Sequence, residues 1–238
     1  MKHIVIILAG GISRRMDSDV PKQFLKIKEK PVIVYTIECF QRNAKIDGVL
    51  VVCVEEWIPH MKMLVEQYHL DKVKWIIPGG DTVHDSTRNG IFYLNEKVTD
   101  DDYVIIHDAA RPVLPQKAID EMLHVAHENG NASLVIPSHE TLIYTDDQKS
   151  GDSQLDRSKV MRVQTPQAYR YSQIRNLYER AENDGIHDII YADLVAIHYG
   201  ERVFFSKGFI NNIKITRKED IPFCEALMEF DEEMLFSV

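Results

Sequence analysis

Cysteine is scarce in this 238-residue chain: Cys39, Cys53 and Cys224 are the only three. They are odd in number, far apart and without C-x-x-C spacing. That excludes a disulfide framework and points to buried free thiols, as in a reducing compartment. Long apolar runs are missing as well. The stretch from Ile4 to Ala9 ends in glycines and is too short for the core of a secretion signal. No segment approaches the roughly 18 to 20 apolar residues of a membrane span, so a soluble, cytoplasmic protein with no membrane partner is expected. Positive charge is also in short supply, with 28 Lys and Arg against 37 Asp and Glu and a net charge of -9. A dedicated nucleic-acid surface needs clustered cations and is therefore excluded. Any phosphate must be bound by a few local basic residues inside an acidic protein, which makes their positions informative.

What is present is a sizeable core in a chain that is 45% hydrophobic and 27% charged, consistent with one domain over 1–238. Short β-branched runs at His3–Ala9, Val49–Val54, Lys74–Ile77, Tyr103–His107 and Ala132–Ile136 read as buried strands. Between them, Val32–Asn43, Trp57–Tyr68, Ser86–Asn95 and Gln116–Asn129 have helical length and spacing. This alternation predicts an α/β fold: a mostly parallel twisted sheet with right-handed crossovers and helices on both faces. Ligands in such sheets bind beyond the carboxyl ends of the strands.

The pattern breaks at about 138–164, a polar segment with turn residues at Asp146-Asp147 and Ser150-Gly151-Asp152. It reads as a protruding β-arm, with a disordered surface loop as the alternative. A helix near Tyr171–Asn183, strands near Arg202–Ser206 and Asn212–Thr216, and a helix from Lys218 complete the expected elements.

Three strand ends carry the chemistry. The first runs into Gly10-Gly11-Ile12-Ser13-Arg14-Arg15-Met16, with Pro21-Lys22-Gln23-Phe24 soon after. Paired glycines let the backbone approach a ligand and aim N–H groups at a phosphate. Three cations in one loop suit a triphosphate better than a plain turn. The spacing fits neither G-x-G-x-x-G nor G-x-x-x-x-G-K-[ST], which disfavours a dinucleotide site and a P-loop. The third strand ends in Pro78-Gly79-Gly80-Asp81, where Asp85 or Ser86 is either a helix N-cap or a contact to a nucleobase edge. The fourth ends in His107-Asp108-Ala109-Ala110-Arg111-Pro112, where Asp108 could hold Mg²⁺ or cap a turn. His107 is expected to be structural.

LAGGISRRM with PKQF, GGDTVHDS, HDAARP, TPQAY and NNIKIT occur in this order along the chain. Together they resemble the cytidylyltransferases that act on 2-C-methyl-D-erythritol 4-phosphate and their relatives acting on ribitol 5-phosphate. The resemblance covers essentially the whole chain and implies a Rossmann-like nucleotidyltransferase fold. It implies that Ala9, Gly10 and Gly11 hold CTP, with Arg15, Lys22 and Lys214 as the catalytic cations on its phosphates. Gly80, Asp81 and Ser86 would recognise the cytosine. Asp108 would face Mg²⁺ and the acceptor, with Arg111 beside it. The arm would embrace a second subunit, so that Thr141 and Arg157 reach the neighbour's acceptor site in a homodimer.

The implied reaction joins CMP to the phosphate of a polyol phosphate and releases pyrophosphate. The nucleophile is a phosphate oxygen already ionised near neutral pH, with a second pKa of roughly 6. Fixed positive charge and positioning are therefore needed, and a general base is not. Departures from the family pattern fall mainly on the acceptor side. Val83 stands where relatives usually carry Arg, and Ile143 replaces a Lys in the arm. Ile190 and Tyr191 occupy the places of a usual Thr-Asp pair, unless a small shift lets Asp193 substitute. Ser13 replaces a usual Gly. Ribitol 5-phosphate is the first expectation for the acceptor and methylerythritol phosphate the second. A CTP-binding protein without catalysis and a sugar-1-phosphate nucleotidyltransferase are the alternatives.

Overall fold

A computed structural model describes residues 1–11 and 20–236. The strands are β1 (His3–Ala9), β2 (Lys26–Ile27), β3 (Lys30–Pro31), β4 (Gly48–Cys53), β5 (Val73–Pro78), β6 (Tyr103–Asp108), β7 (Asn131–Pro137), β8 (Leu142–Tyr144), β9 (Ser153–Leu155), β10 (Met161–Arg170) and β11 (Phe205–Lys207). The helices are α1 (Val32–Gln41), α2 (Ile58–Gln67), α3 (Val83–Tyr93), α4 (Gln116–Asn129), α5 (Tyr171–Asn183), α6 (Ala192–His198), α7 (Asp220–Leu227) and α8 (Glu232–Phe236). Seven strands form one sheet in the order β11-β7-β10-β6-β1-β4-β5, with only β10 opposed to the rest.

The central strands are apolar on both faces because both faces are covered. Val5, Ile7 and Ala9 of β1 join a cluster with α1, α2 and α4, while Ile4 and Ile6 join a second cluster with α3, α5 and α6. From β1 the chain passes through α1 to β4 and through α2 to β5 along the first face. It then returns through α3 on the second face to β6, on the other side of β1. Right-handed crossovers demand that change of face when the direction of travel reverses. The reversal opens a crevice at the carboxyl ends of β1 and β6. Register places Leu8 beside Asp108 and Ala9 beside Cys53.

The arm is a two-stranded β8–β9 hairpin outside the main sheet. It ends earlier than the sequence suggests, because Met161 to Val163 already pair with β7. A strand through Thr165-Pro166 is hidden by its proline, which reads as a strand break. A register shift between Val163 and Gln167 accommodates it. The strand expected at Asn212–Thr216 is instead an irregular segment across the sheet's carboxyl edge, fixed by single bonds such as Ile215 N–H to the Ala110 carbonyl at 2.9 Å. Helix α6 carries no clear period in sequence and was not expected. Cys39, Cys53 and Cys224 are free and buried, and burial pushes their thiols up to about 11, 12 and 12. Among the described residues, no helix is long and apolar enough to cross a membrane.

Helix α3 approaches the sheet at Gly90, where a Cβ would lie 2.9 Å from Ile6 Cγ2 and 3.2 Å from Val52 Cγ2. Those methyls sit on β-branched side chains of central strands and cannot swing aside. Gly90→Ala should therefore cost roughly 1–3 kcal/mol despite the better helix propensity of alanine. The cost should shrink in an Ile6→Ala background. A raised urea midpoint for Gly90→Ala alone would contradict this packing.

Candidate active site

The glycine turns after β1 and β5 both pack against one hydroxyl. Ser86 Oγ accepts from Gly80 N–H at 3.1 Å, and a Cβ on Gly10 would lie 2.9 Å from the same oxygen. Helix α3 starts three residues earlier than the sequence pattern suggests. Thr82 is its N-cap, accepting from Asp85 N–H at 3.0 Å, and the Asp85 carboxylate accepts from Thr82 N–H at 3.2 Å. In this capping box the N-cap is Thr82 and not Asp85 or Ser86: Asp85 closes the box from the third helical position, and Ser86 bonds the Gly80 N–H. Asp85 also pairs with Arg88 at 3.3 Å. The first turn has a second anchor that sequence reasoning missed. Gln23 is buried, and its amide donates to the carbonyls of Ala9 at 2.7 Å and Gly11 at 3.2 Å. Its only sequence signal is its place between Lys22 and Phe24.

At the tip of β6, Asp108 is 7% exposed and bonded on both oxygens. Lys214 Nζ donates to Oδ1 at 2.8 Å and Arg111 Nε to Oδ2 at 3.1 Å. Burial alone would raise this carboxyl. The Lys214 ammonium and then the Arg111 guanidinium outweigh it and hold the group well below the usual carboxylate range. Arg111 Nη1 also donates to the Asn212 carbonyl at 2.6 Å, and Asn212 Nδ2 donates to the Thr165 carbonyl at 2.8 Å. Thr165 Oγ1 in turn accepts from Asp108 N–H at 3.1 Å. This closed ring of contacts ties β6, β10 and the Asn212–Thr216 segment into one unit, with Lys214 on its rim. His107 beneath it is fully buried, and burial lowers its pKa to about 4. Its Nε2 lies 3.1 Å from the Arg111 carbonyl. A neutral ring bonded to the backbone is structural, as expected.

A cavity of about 420 Å³ opens at this edge, and Gly10, Gly11, Lys22, Asp81, Ser86, Asp108 and Lys214 all line it. The sequence places all of these but Lys214 at three separate strand ends, and Lys214 is named through the family resemblance alone. Val83 and Thr216 also reach the wall. Arg15 lies outside the described residues. Ala9, Gly80 and Arg111 support the wall without lining it. Thr141 and Arg157 are exposed on the arm, where Arg157 Nη1 donates to the His139 carbonyl at 3.0 Å, and neither lines this cavity.

Asp193 does not take the acceptor position that a shifted alignment would give it. Its carboxylate is 1% exposed and accepts from Ser133 Oγ at 2.6 Å, Tyr169 Oη at 2.6 Å and Gln167 Nε2 at 2.9 Å. Burial pushes its pKa up, against the hydrogen bonds from Ser133 and Tyr169. Tyr191 of that segment does not line the cavity, but its ring centroid is 5.8 Å from Lys214 Nζ.

For a metal, the carboxylates on the cavity wall are Asp81, which is exposed, and Asp108, whose two oxygens are already in ion pairs. Among the described residues, no group of three or more His, Cys, Asp or Glu could hold a metal ion. That donor set does not fit a resident metal centre with Asp108 as its main ligand. It suits an ion that brings phosphate oxygens and water as most of its shell.

Asp108 makes a pH-dependent contribution whose sign follows from its depressed pKa. The contribution is present above the unfolded carboxylate value of roughly 3.9 and is lost only as pH falls further, through the folded value. Asp108→Asn should cost roughly 3–5 kcal/mol at neutral pH by leaving two cations without their anion. The gap to wild type should stay flat down to about pH 5 and narrow only below about pH 4. Urea denaturation at a series of pH values checks this, and a gap that widens on acidification would contradict it.

Known proteins match this chain in sequence and in fold. A model of the family IspD, 2-C-methyl-D-erythritol 4-phosphate cytidylyltransferase, matches residues 3–230. The chain is 36% identical over 229 residues to a ribitol-5-phosphate cytidylyltransferase of Lacticaseibacillus paracasei, covering 95% of this chain and 98% of that protein. It is 34% identical over 230 residues to a 2-C-methyl-D-erythritol 4-phosphate cytidylyltransferase of Clostridium novyi, covering 96% and 97%. A solved 4-diphosphocytidyl-2C-methyl-D-erythritol synthase from Anaerococcus prevotii superposes with a TM-score of 0.81 at 23% identity, over 96% of this chain and 99% of that one, and so shares the nucleotidyltransferase-like α/β fold. With a family model spanning nearly its whole length, the chain belongs to the 2-C-methyl-D-erythritol 4-phosphate cytidylyltransferase family of nucleotidyltransferase enzymes.

Proposed function

We propose that this chain transfers CMP from CTP to ribitol 5-phosphate, giving CDP-ribitol and pyrophosphate. The observation that carries the reading is the convergence of Lys22, Lys214 and the glycine turns on one cavity. A triphosphate laid along the turns of Gly10 and Gly11 would place its phosphates toward Lys22. The acceptor phosphate is largely a dianion near neutral pH, with its second pKa at roughly 6. One of its oxygens attacks the α-phosphorus, a new P–O bond forms, and the bond to the bridging α–β oxygen breaks. The electron pair leaves with pyrophosphate, and no proton transfer is required. Lys214, held in place by Asp108, would offset the charge gathering on the α-phosphoryl oxygens. Mg²⁺ is proposed to arrive on the triphosphate as part of the substrate. The L. paracasei relative supports ribitol 5-phosphate as acceptor, and the C. novyi relative supports 2-C-methyl-D-erythritol 4-phosphate as the second reading.

We also propose that the protein works as a homodimer through the arm. An isolated two-stranded hairpin is marginal in water, yet this one exposes Ile143, Tyr144 and Leu155. A second copy covering that apolar surface would bring Thr141 and Arg157 to the neighbour's acceptor site.

Pyrophosphate release should require CTP, Mg²⁺ and a polyol phosphate together, with UTP and GTP much poorer. An acceptor panel of ribitol, glycerol and methylerythritol phosphates that gives no release would refute the activity. Lys22→Ala and Lys214→Ala should each lower kcat by about 10²–10³; Lys22→Ala should melt near the wild-type temperature, whereas Lys214→Ala should also melt lower because it strips the buried Asp108 of a partner. Full activity in both would remove their assigned roles. Ile143→Glu with Tyr144→Glu should shift the sedimentation mass to the monomer and abolish turnover. A dimer that persists would place the subunit contact elsewhere.

A further inference from the structure

Helix α6 holds Tyr191 beside the site by an anchor of its own. Tyr191 is the N-cap, and its carbonyl accepts from the N–H groups of Leu194 at 3.0 Å and Val195 at 3.2 Å. Two residues on, the buried Asp193 carboxylate ties the first turn of α6 to Ser133 of β7 and to Gln167 and Tyr169 of β10. The approach to the helix is fastened too, since His84 Nδ1 of α3 lies 2.9 Å from the Ile189 carbonyl. The half-buried Tyr191 ring is thus fixed 5.8 Å from Lys214 Nζ, within cation–π range. Among the described residues its hydroxyl has no hydrogen-bond partner. On this partly exposed side chain the hydroxyl is open to solvent and can exchange water for a ligand hydroxyl.

Resting on the function proposed above, we infer that Tyr191 is the specificity-determining residue for the acceptor. With the acceptor phosphate at Lys214, its carbon chain begins one ester oxygen away and runs past the Tyr191 ring. The ring face covers the C–H side of the chain, and the phenol exchanges a hydrogen bond with one of its hydroxyls. The substrate class that fits is an acyclic polyhydroxylated phosphate. Asp193 acts through Tyr191 as a positioning residue.

The test compares wild type, Tyr191→Phe and Asp193→Asn by steady-state pyrophosphate release. It uses whichever polyol phosphate the wild type turns over, with deoxy analogues of that acceptor. Tyr191→Phe should raise KM for the acceptor about tenfold while leaving KM for CTP and the melting temperature unchanged. Against the deoxy analogue that lacks the hydroxyl read by the phenol, wild type and Tyr191→Phe should become equal. Asp193→Asn should raise the acceptor KM more than the CTP KM. A Tyr191→Phe enzyme with unchanged acceptor KM, or with both KM values raised alike, would overturn the inference while leaving the function intact. The deoxy series on wild type serves as an independent arm: if no missing hydroxyl matters, the inference fails there as well. Wild type that turns over no polyol phosphate would instead overturn the functional reading, and this inference with it.

Discussion

The site depends on a single buried carboxylate that carries two cations. A charge taken out of water is costly unless it is paired and hydrogen-bonded on every side, and Asp108 is paired on both oxygens. Counting Lys214 and Arg111 against Asp108, the cluster keeps one net positive charge. Only Asp108 and Lys214 of the three reach the cavity wall. An acidic protein thereby presents a fixed cation where a phosphate must be held. Lys214 cannot relax toward solvent without leaving the Asp108 oxygen unsatisfied, so its ammonium is oriented before any substrate arrives. Preorganisation of this kind lets a charge act at a transition state without reorganisation at the moment of reaction.

The cluster sits where it does because of topology. Reversal of the strand order at β1 opens the sheet's carboxyl edge between β1 and β6, and the register sets Leu8 beside Asp108. The turn of β1 and the tip of β6 are neighbours by construction. Ser86 brings the β5 turn to them from the start of α3. The irregular Asn212–Thr216 segment delivers Lys214 from a remote part of the chain. It needs the Asn212–Thr165 and Arg111–Asn212 bonds because no ladder of strand hydrogen bonds holds it.

This difference explains what could be read from the sequence. Strands β1, β4, β6 and β7 are short apolar runs bounded by turn residues, and their local pattern already states their environment; β5 also reads as a buried strand, but it is the sheet's edge and only its Ile77 is buried. Helices α4 and α5 matched their expected bounds for the same reason. Strand β10 was missed because Pro166 is a local veto that a bulge overrides. Gln23, Asp193 and the strandless Asn212–Thr216 segment depend on partners far away in sequence, such as Ser133 sixty residues from Asp193. No local pattern encodes those partners. The glycines, Lys22 and Asp108 were legible as a site because topology brings those strand tips together, whereas Lys214 was named only through the family resemblance.

The two halves of the cavity are made of different material, and that bears on where the sequence departs from its relatives. The glycine turns form a wall largely from backbone, held by Ser86 and Gln23. Side chains enter such a wall mainly by obstructing it, as a Cβ on Gly10 would. The side around Lys214 is built from side chains, with the Tyr191 ring at the start of α6 5.8 Å from the Lys214 ammonium. The start of α6 is fastened by anchors such as Asp193, which do not themselves touch the cavity. A residue like Tyr191 can therefore be exchanged without disturbing the frame that holds it. On the function proposed above, a wall built from backbone would serve what both subfamilies share, and a rim built from anchored side chains would be the cheaper place for acceptor preference to diverge. Val83, Ile143, Ile190 and Tyr191 all fall on parts of the second kind, on the exposed arm or on the exposed rim of α3.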